Sequence, residues 1–227
     1  MKKLIIAIAI LLFCSNVYAE TTFKLSVNKE DVLKINRIGY NILNANRIKE
    51  KMVFELVDKN YVNACTYYST NLISVTDELL KIIEKEDELA AILAHEISHG
   101  VDYRQGILKG YFSFIATSLN SKKYEYKADK RAADYLVKAG YNPLALIVAL
   151  NKIAPQLRFD SSLSHPLTSK RMAEIYEYIY VKYPQYLVQN EYKDNIYYQN
   201  FLITSKENRK KLENKIKSNS KKKVNYK

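Results

Sequence analysis

Two histidines four residues apart, with a glutamate directly after the first, lie in a segment that has the pattern of a helix. The segment, residues 86–104, reads EDELAAILAHEISHGVDYR, with acidic residues at its start and apolar residues at helical spacing. On an α-helix, positions four apart differ by about 40° around the axis and about 6 Å along it. His95 and His99 therefore point towards one metal ion, and Glu96, about 100° round from His95, can reach a water molecule on that ion.

Zinc held by two histidines needs a third protein ligand and an open fourth position for water. A carboxylate from a second helix is a common third ligand, and Glu125 follows His99 by 26 residues. Residues 121–139 have the pattern of that second helix, which we expect to end at Gly140, with Pro143 beyond it. The simpler alternative is an ordinary amphipathic helix whose histidines lie on the surface or in the core.

The N-terminus has the three parts of a secretory signal peptide. Two lysines precede apolar residues 4–13, and residues 17–19 (VYA) match a small-x-small cleavage site. We therefore predict a signal peptide over residues 1–19 and export to the periplasm or cell envelope. A retained membrane anchor and a lipid-modified Cys14 are the alternatives.

Processing after residue 19 would leave about 208 residues, enough for one domain with a substantial core plus an extension. We expect the domain with the metal site over residues 20–183, and a helical, basic, partly disordered extension over 184–227. The processed chain would contain one cysteine, Cys65, which excludes an intramolecular disulfide.

The positive charge of the chain is concentrated at its C-terminus. The net charge is +12, and residues 205–227 contain ten Lys or Arg against two Glu, a net +8. Basic tails bind nucleic acid or anionic lipid. Export argues against nucleic acid, so peripheral association with an anionic membrane surface is the functional interpretation, and a solvated tail is the alternative.

Short runs of β-branched and aromatic residues at 52–57, 63–68 and 71–75 predict a small antiparallel sheet. The rest is typical of helices, which we predict over 31–51, 77–84, 86–104, 121–139, 143–153, 168–182 and within 195–217. The fold class is therefore α+β, predominantly helical. The apolar connection 105–120 is interpreted as core packing, with a cleft wall or a membrane contact as alternatives.

Three stretches together resemble a known family. DELAAILAHEISH, EYKADKRAADYLVKAGYNP, and His165-Pro166 followed by Arg171 are similar to the zinc metallopeptidases of family 48, which include the HtpX and BepA types. The similarity covers roughly residues 31–182. It implies a gluzincin-like domain in which a sheet edge lines the cleft beside the helix that carries the HExxH motif.

The resemblance also implies a role for each matching residue. His95, His99 and Glu125 match the ligands of one zinc ion per chain, and Glu96 matches the catalytic base. Asp129 matches an acid that orients a ligand histidine, with an exposed helix carboxylate as the alternative.

His165 and Arg171 match groups near the site. One would gate the fourth zinc position and the other would stabilise the oxyanion. The alternative is a His-Pro turn at a helix start and a surface arginine.

These expectations define two hypotheses. The first is an exported zinc metalloendopeptidase that hydrolyses peptide bonds in unfolded or misfolded envelope proteins, as part of protein quality control. The second is a zinc-containing, chaperone-like binding protein with latent proteolysis. Both expect polypeptide partners and no nucleic acid; a third hypothesis, a basic binding module with an incidental motif, expects no stoichiometric metal.

Overall fold

The computed structural model describes residues 28–67, 69–105, 121–154 and 168–226. Three strands follow the first helix, and the remainder of the described chain is mostly helical. The elements are α1 Lys29–Ala45, β1 Val53–Val57, β2 Ala64–Tyr67, β3 Leu72–Thr76, α2 Asp77–Ile82, α3 Glu86–Gln105, α4 Ser121–Ala139, α5 Ala145–Ile153, α6 Thr168–Lys182, α7 Gln185–Val188, α8 Ile196–Thr204 and α9 Lys206–Lys217. The predicted fold class, a mostly helical α+β domain with a small sheet, is confirmed.

The helix boundaries follow ordinary capping chemistry. The Asn28 side chain accepts a hydrogen bond from Glu30 N at the start of α1, and acidic side chains occupy the first turn of α3. Helix α4 ends at Gly140, whose φ of 84° lies in the left-handed region that glycine adopts without strain. The predicted C-terminal helix is divided at Ser205 into α8 and α9.

The sheet has the order β1-β3-β2, with β1 parallel and β2 antiparallel to β3. The prediction of an all-antiparallel sheet was therefore wrong. β2 forms a hairpin with β3, but the connection after β1 crosses to the far side of β3, so β1 runs parallel to β3. Two hydrogen bonds hold this connection. Lys59 N donates to Asp77 Oδ1 at the start of α2, and Asn63 O accepts from Thr76 N at the end of β3.

Helix α3 lies at the centre of the core, between α1, α4, α5 and the sheet. Its apolar stripe is buried as predicted, because Leu89, Leu93 and Ile97 have no exposed surface. At Gly100 a Cβ atom would lie 2.8 Å from Met52 Cε and 3.6 Å from Thr66 Cγ2. The missing side chain thus leaves room for Met52, the residue before β1, while β2 lies at ordinary van der Waals distance beside the HExxH motif.

The C-terminal helices pack on the same body. Tyr192, Tyr198 and Phe201 are almost fully buried and belong to the hydrophobic core. Beyond them, Lys215 forms an ion pair with Glu177, and the Tyr226 hydroxyl donates to the same carboxylate. Residues 184–226 therefore contact the helical body through apolar packing and through ion pairs with α6.

Several sequence predictions lie outside the described residues. These are the signal peptide over 1–19, the modification of Cys14, and the interpretation of the connection at positions 106–120. Within the described ranges, none of the helices combines the length and the apolar composition needed to cross a membrane.

Candidate metal centre

Helices α3 and α4 bring together the three predicted metal ligands. His95 Nε2 lies 3.0 Å from His99 Nε2, and Glu125 Oε1 lies 3.2 Å from His99 Nε2. The second Glu125 oxygen lies 3.6 Å from His95 Nε2. All three side chains are largely buried, with 15% or less of each exposed. One atom from each residue therefore faces a common point.

The donor set fits a zinc ion. Ligand atoms arranged tetrahedrally around zinc at about 2.0–2.1 Å are about 3.3 Å apart, and the three distances lie on either side of that value. Two imidazole nitrogens with one carboxylate oxygen form a ligand set typical of catalytic zinc sites. His95, His99 and Glu125 could therefore hold a metal ion, with one position left open.

Asp129 lies next to one of the histidines. It lies one helical turn after Glu125, and its Oδ1 atom is 3.0 Å from His95 Nδ1. A hydrogen on Nδ1, on the side of this carboxylate, would leave the Nε2 lone pair directed at the cluster. The Asp129 side chain is 3% exposed, so it is not an exposed helix carboxylate.

Arg171 on α6 joins the two acids of α4. Its Nε and Nη2 atoms donate to the Asp129 carboxylate at 2.9 and 2.7 Å, and its Nη1 atom lies 3.0 Å from Glu125 Oε2. The side chain is 11% exposed, which excludes a surface arginine. Bidentate geometry of this kind fixes both the position and the orientation of a carboxylate.

The charges of the site shift two pKa values. Burial acts to raise the pKa of Asp129, but the charge and hydrogen bonds of Arg171 outweigh it and lower that pKa to about 2. Burial acts to lower the pKa of His99, but the hydrogen bond and charge of Glu125 outweigh it and raise that pKa. The first shift comes from the Arg171 guanidinium and the second from the buried Glu125 carboxylate, which also favours a metal cation.

Glu96 lies beside the cluster, and its carboxylate has a separate partner. Thr66 Oγ1 on β2 lies 2.8 Å from Glu96 Oε2 and 2.8 Å from the Glu96 backbone oxygen. Sequence reasoning did not identify Thr66. The alternation along β2 puts Ala64 and Thr66 on one face, but nothing in the sequence specified that this face meets α3.

The remaining predicted site residue is His165. It lies outside the described residues, so its predicted role, either gating the fourth metal position or stabilising the oxyanion, stays a prediction. Of the seven predicted site residues, the structure therefore brings together His95, Glu96, His99, Glu125, Asp129 and Arg171.

With this geometry established, the chain can be compared with known proteins. The model of peptidase family M48 matches residues 32–103 and 104–179, more than half of the chain. The chain belongs to peptidase family M48. Its helical fold and its cluster of two histidines and a glutamate agree with this metallopeptidase family.

Two curated relatives extend the comparison. The beta-barrel assembly-enhancing protease of Yersinia pestis is 26% identical over 183 aligned residues, which cover 62% of this chain and 37% of the relative. The protein of the same description from Escherichia coli strain K12 is 24% identical with the same coverage. The M48 chain thus spans about 37% of the length of these curated relatives.

We expect the metal content to distinguish Glu125 from Asp129. Glu125→Ala removes a ligand and leaves two histidines, so the purified variant should lose its metal after dialysis. Asp129→Asn removes only a partner of His95, so the metal affinity should fall by about 10- to 100-fold. Metal analysis of both variants, with thermal unfolding as a check on folding, makes the measurement. One tightly held metal ion in Glu125→Ala would contradict the ligand set.

Proposed function

We propose that the protein is a zinc metalloendopeptidase that hydrolyses peptide bonds in unfolded or misfolded proteins of the cell envelope. The observation that carries the proposal is the convergence of His95, His99 and Glu125 next to a glutamate that is not in the cluster. Such a glutamate is available for proton transfer, whereas a ligand would be occupied by the metal.

The chemistry divides between the metal and the chain. When bound, zinc supplies a Lewis acid for the scissile carbonyl and lowers the pKa of a water molecule towards 7. Glu96 would accept a proton from the attacking water, whose oxygen forms the new bond to the carbonyl carbon. The carbon–nitrogen bond then breaks, and Glu96 delivers the proton to the leaving amine. His95 and His99 would hold the metal throughout, with His95 oriented by Asp129.

We assign Arg171 chiefly to positioning rather than to direct stabilisation of the oxyanion. Three of its nitrogen atoms contact Asp129 and Glu125. Its Nη2 atom also lies 3.5 Å from His95 Nε2, close to the metal position. A buried guanidinium in this place balances the charge of two acids and fixes the ligand carboxylate.

The substrate class is proposed from the sheet. Among the described strands, β2 forms one edge of the sheet and packs against α3, which carries the HExxH motif. Tyr61, which precedes β2, and Tyr67, which ends it, are each at least half exposed. An extended polypeptide can add to such an edge through backbone hydrogen bonds, which gives affinity with little sequence preference. Unfolded segments meet this requirement.

The envelope location has two supports. The N-terminal sequence has the pattern of a signal peptide. The relatives from Yersinia pestis and Escherichia coli are described as beta-barrel assembly-enhancing proteases, and transmembrane β-barrels occur in bacterial outer membranes. We therefore propose that this chain is exported and acts on envelope polypeptides.

Glu96→Gln tests the proposed chemistry. The variant should retain its metal, because Glu96 is not a ligand, and it should lose hydrolysis of casein by about 10²- to 10⁴-fold. Glu191→Gln, which makes the same change at an exposed position, should keep full activity. Metal content and cleavage are measured on the same preparations.

Two results would contradict this account. Full activity in Glu96→Gln would exclude Glu96 as the base. A wild-type protein that holds zinc and binds unfolded polypeptide, but never cleaves it, would favour the chaperone-like alternative.

We also propose peripheral association with anionic membrane surfaces. Part of the basic charge of residues 205–227 is paired within the protein, because Lys215 contacts Glu177 and Lys223 contacts Glu174. Other lysines of α9 and of the segment after it are exposed, and each Lys near an anionic surface contributes about 1 kcal/mol of binding. These exposed lysines, rather than the whole tail, would supply the attraction.

Variants in which exposed lysines are replaced by glutamine test the membrane proposal without removing packed residues. Four Lys→Gln changes in the tail should weaken binding to phosphatidylglycerol vesicles at least tenfold, and added salt should weaken wild-type binding similarly. Four Lys→Gln changes elsewhere keep the same net charge as a control and should bind nearly as wild type does. Equal binding by both variants in a sedimentation assay would reject the tail as the contact. The tail positions are Lys210, Lys217, Lys221 and Lys222, and the control positions are Lys49, Lys51, Lys59 and Lys138.

A further inference from the structure

Thr66 connects the edge strand to Glu96. Its Oγ1 atom lies 2.8 Å from Glu96 Oε2 and 2.8 Å from the Glu96 backbone oxygen. Its Cγ2 atom lies against Gly100, one helical turn further along α3, where a Cβ would be 3.6 Å away. The hydroxyl of Thr66 therefore contacts α3 and its methyl group faces Gly100, which together favour one rotamer of this β-branched side chain.

This hydroxyl restricts the carboxylate of Glu96. A glutamate side chain has three rotatable bonds, and a free one samples many orientations. A hydrogen bond from Thr66 to Oε2 selects the orientations that keep the carboxylate close to α3 and the metal ligands. Because the hydroxyl has a single hydrogen, donation to Oε2 competes with donation to the backbone oxygen.

The backbone N–H and C=O of Thr66 point away from β3. Thr76 N donates to Asn63 O, so these two residues occupy a hydrogen-bonded position of the antiparallel ladder. Such positions recur at every second residue, which makes Cys65 the next one on β2. The N–H and C=O of Ala64 and Thr66 therefore point to the outer edge of the sheet.

We propose that Thr66 is a positioning residue that couples the docking of an extended polypeptide on β2 to the alignment of Glu96. This inference rests on the proposed function, in which β2 receives the substrate and Glu96 is the base. A polypeptide that pairs with the backbone of Thr66 orders this position of the strand. The ordered strand then fixes the hydroxyl that holds the carboxylate.

The coupling predicts a particular kinetic pattern. Binding energy from parts of a substrate far from the reacting bond raises kcat when it aligns the catalytic groups. A peptide long enough to pair with β2 should therefore show a higher kcat than a short peptide with the same cleaved bond. That gain should depend on the Thr66 hydroxyl.

The test compares Thr66→Val with Thr66→Ser on both peptides. Valine keeps the shape and the strand preference of threonine but removes the hydroxyl, so kcat on the long peptide should fall about tenfold with KM nearly unchanged. The ratio of kcat between the long and short peptides should approach one. Serine restores the hydroxyl and should recover most of both quantities. Thr70→Val makes the same change in the exposed turn of the hairpin and should behave as wild type does.

Each outcome has a separate meaning. Wild-type kcat in Thr66→Val, an unchanged ratio between the peptides, or a Thr66→Ser variant as slow as Thr66→Val would overturn the inference. Glu96→Gln is assayed in the same series. If that variant hydrolysed both peptides, the proposed function would fail. If Glu96→Gln were inactive but Thr66→Val kept the wild-type kcat, only the inference about Thr66 would fail.

Discussion

The contacts of Arg171 with Asp129 and Glu125 join α6 to α4, beside the two histidines of α3. Each of the two carboxylates is less than a tenth exposed, and isolated buried charges of this kind are costly. The guanidinium supplies the opposite charge and fixed hydrogen-bond geometry. As a consequence, Asp129 stays ionised beside His95, and Glu125 faces both imidazoles. The same arrangement makes α6 part of the site although it contributes no predicted metal ligand.

The sheet contributes the second half of the arrangement. Strand β2 packs against α3, and Thr66 meets Glu96 at that contact. The metal ligands and the proposed base are thus held from two sides, by α4 and α6 on one and by β2 on the other. In this view the edge of the sheet is both the proposed place for substrate and a support for the catalytic group.

The sequence predicted the parts of the fold that depend on local spacing. The candidate ligands His95 and His99 were predictable because helical geometry fixes the direction of residues four apart. Glu125 was predictable as the third candidate because it lies on a second helix, whose end follows from ordinary stop signals. The apolar stripe of α3 was predictable for the same reason. The role of Asp129 was predicted only from the family resemblance, because local spacing does not show which residues of α4 lie near His95 on α3.

Contacts between distant segments were not predictable in the same way. Short strands separated by turns indicate a sheet, but they do not specify that β1 runs parallel to β3. The partners of Arg171 and Thr66 depend on how α6 and β2 pack, which no local pattern encodes. Composition predicts a basic, partly disordered C-terminal extension. It does not predict that Leu212 and Tyr226 are buried, as the structure shows.

X-ray absorption at the zinc edge, on purified protein supplied with one zinc per chain, tests the central claim most directly. The account predicts nitrogen and oxygen ligands at about 2.0–2.1 Å, with the scattering pattern of two imidazole rings. A sulfur ligand at about 2.3 Å would place zinc on Cys65 instead. That result, or a coordination shell without imidazole, would contradict a metal centre built from His95, His99 and Glu125.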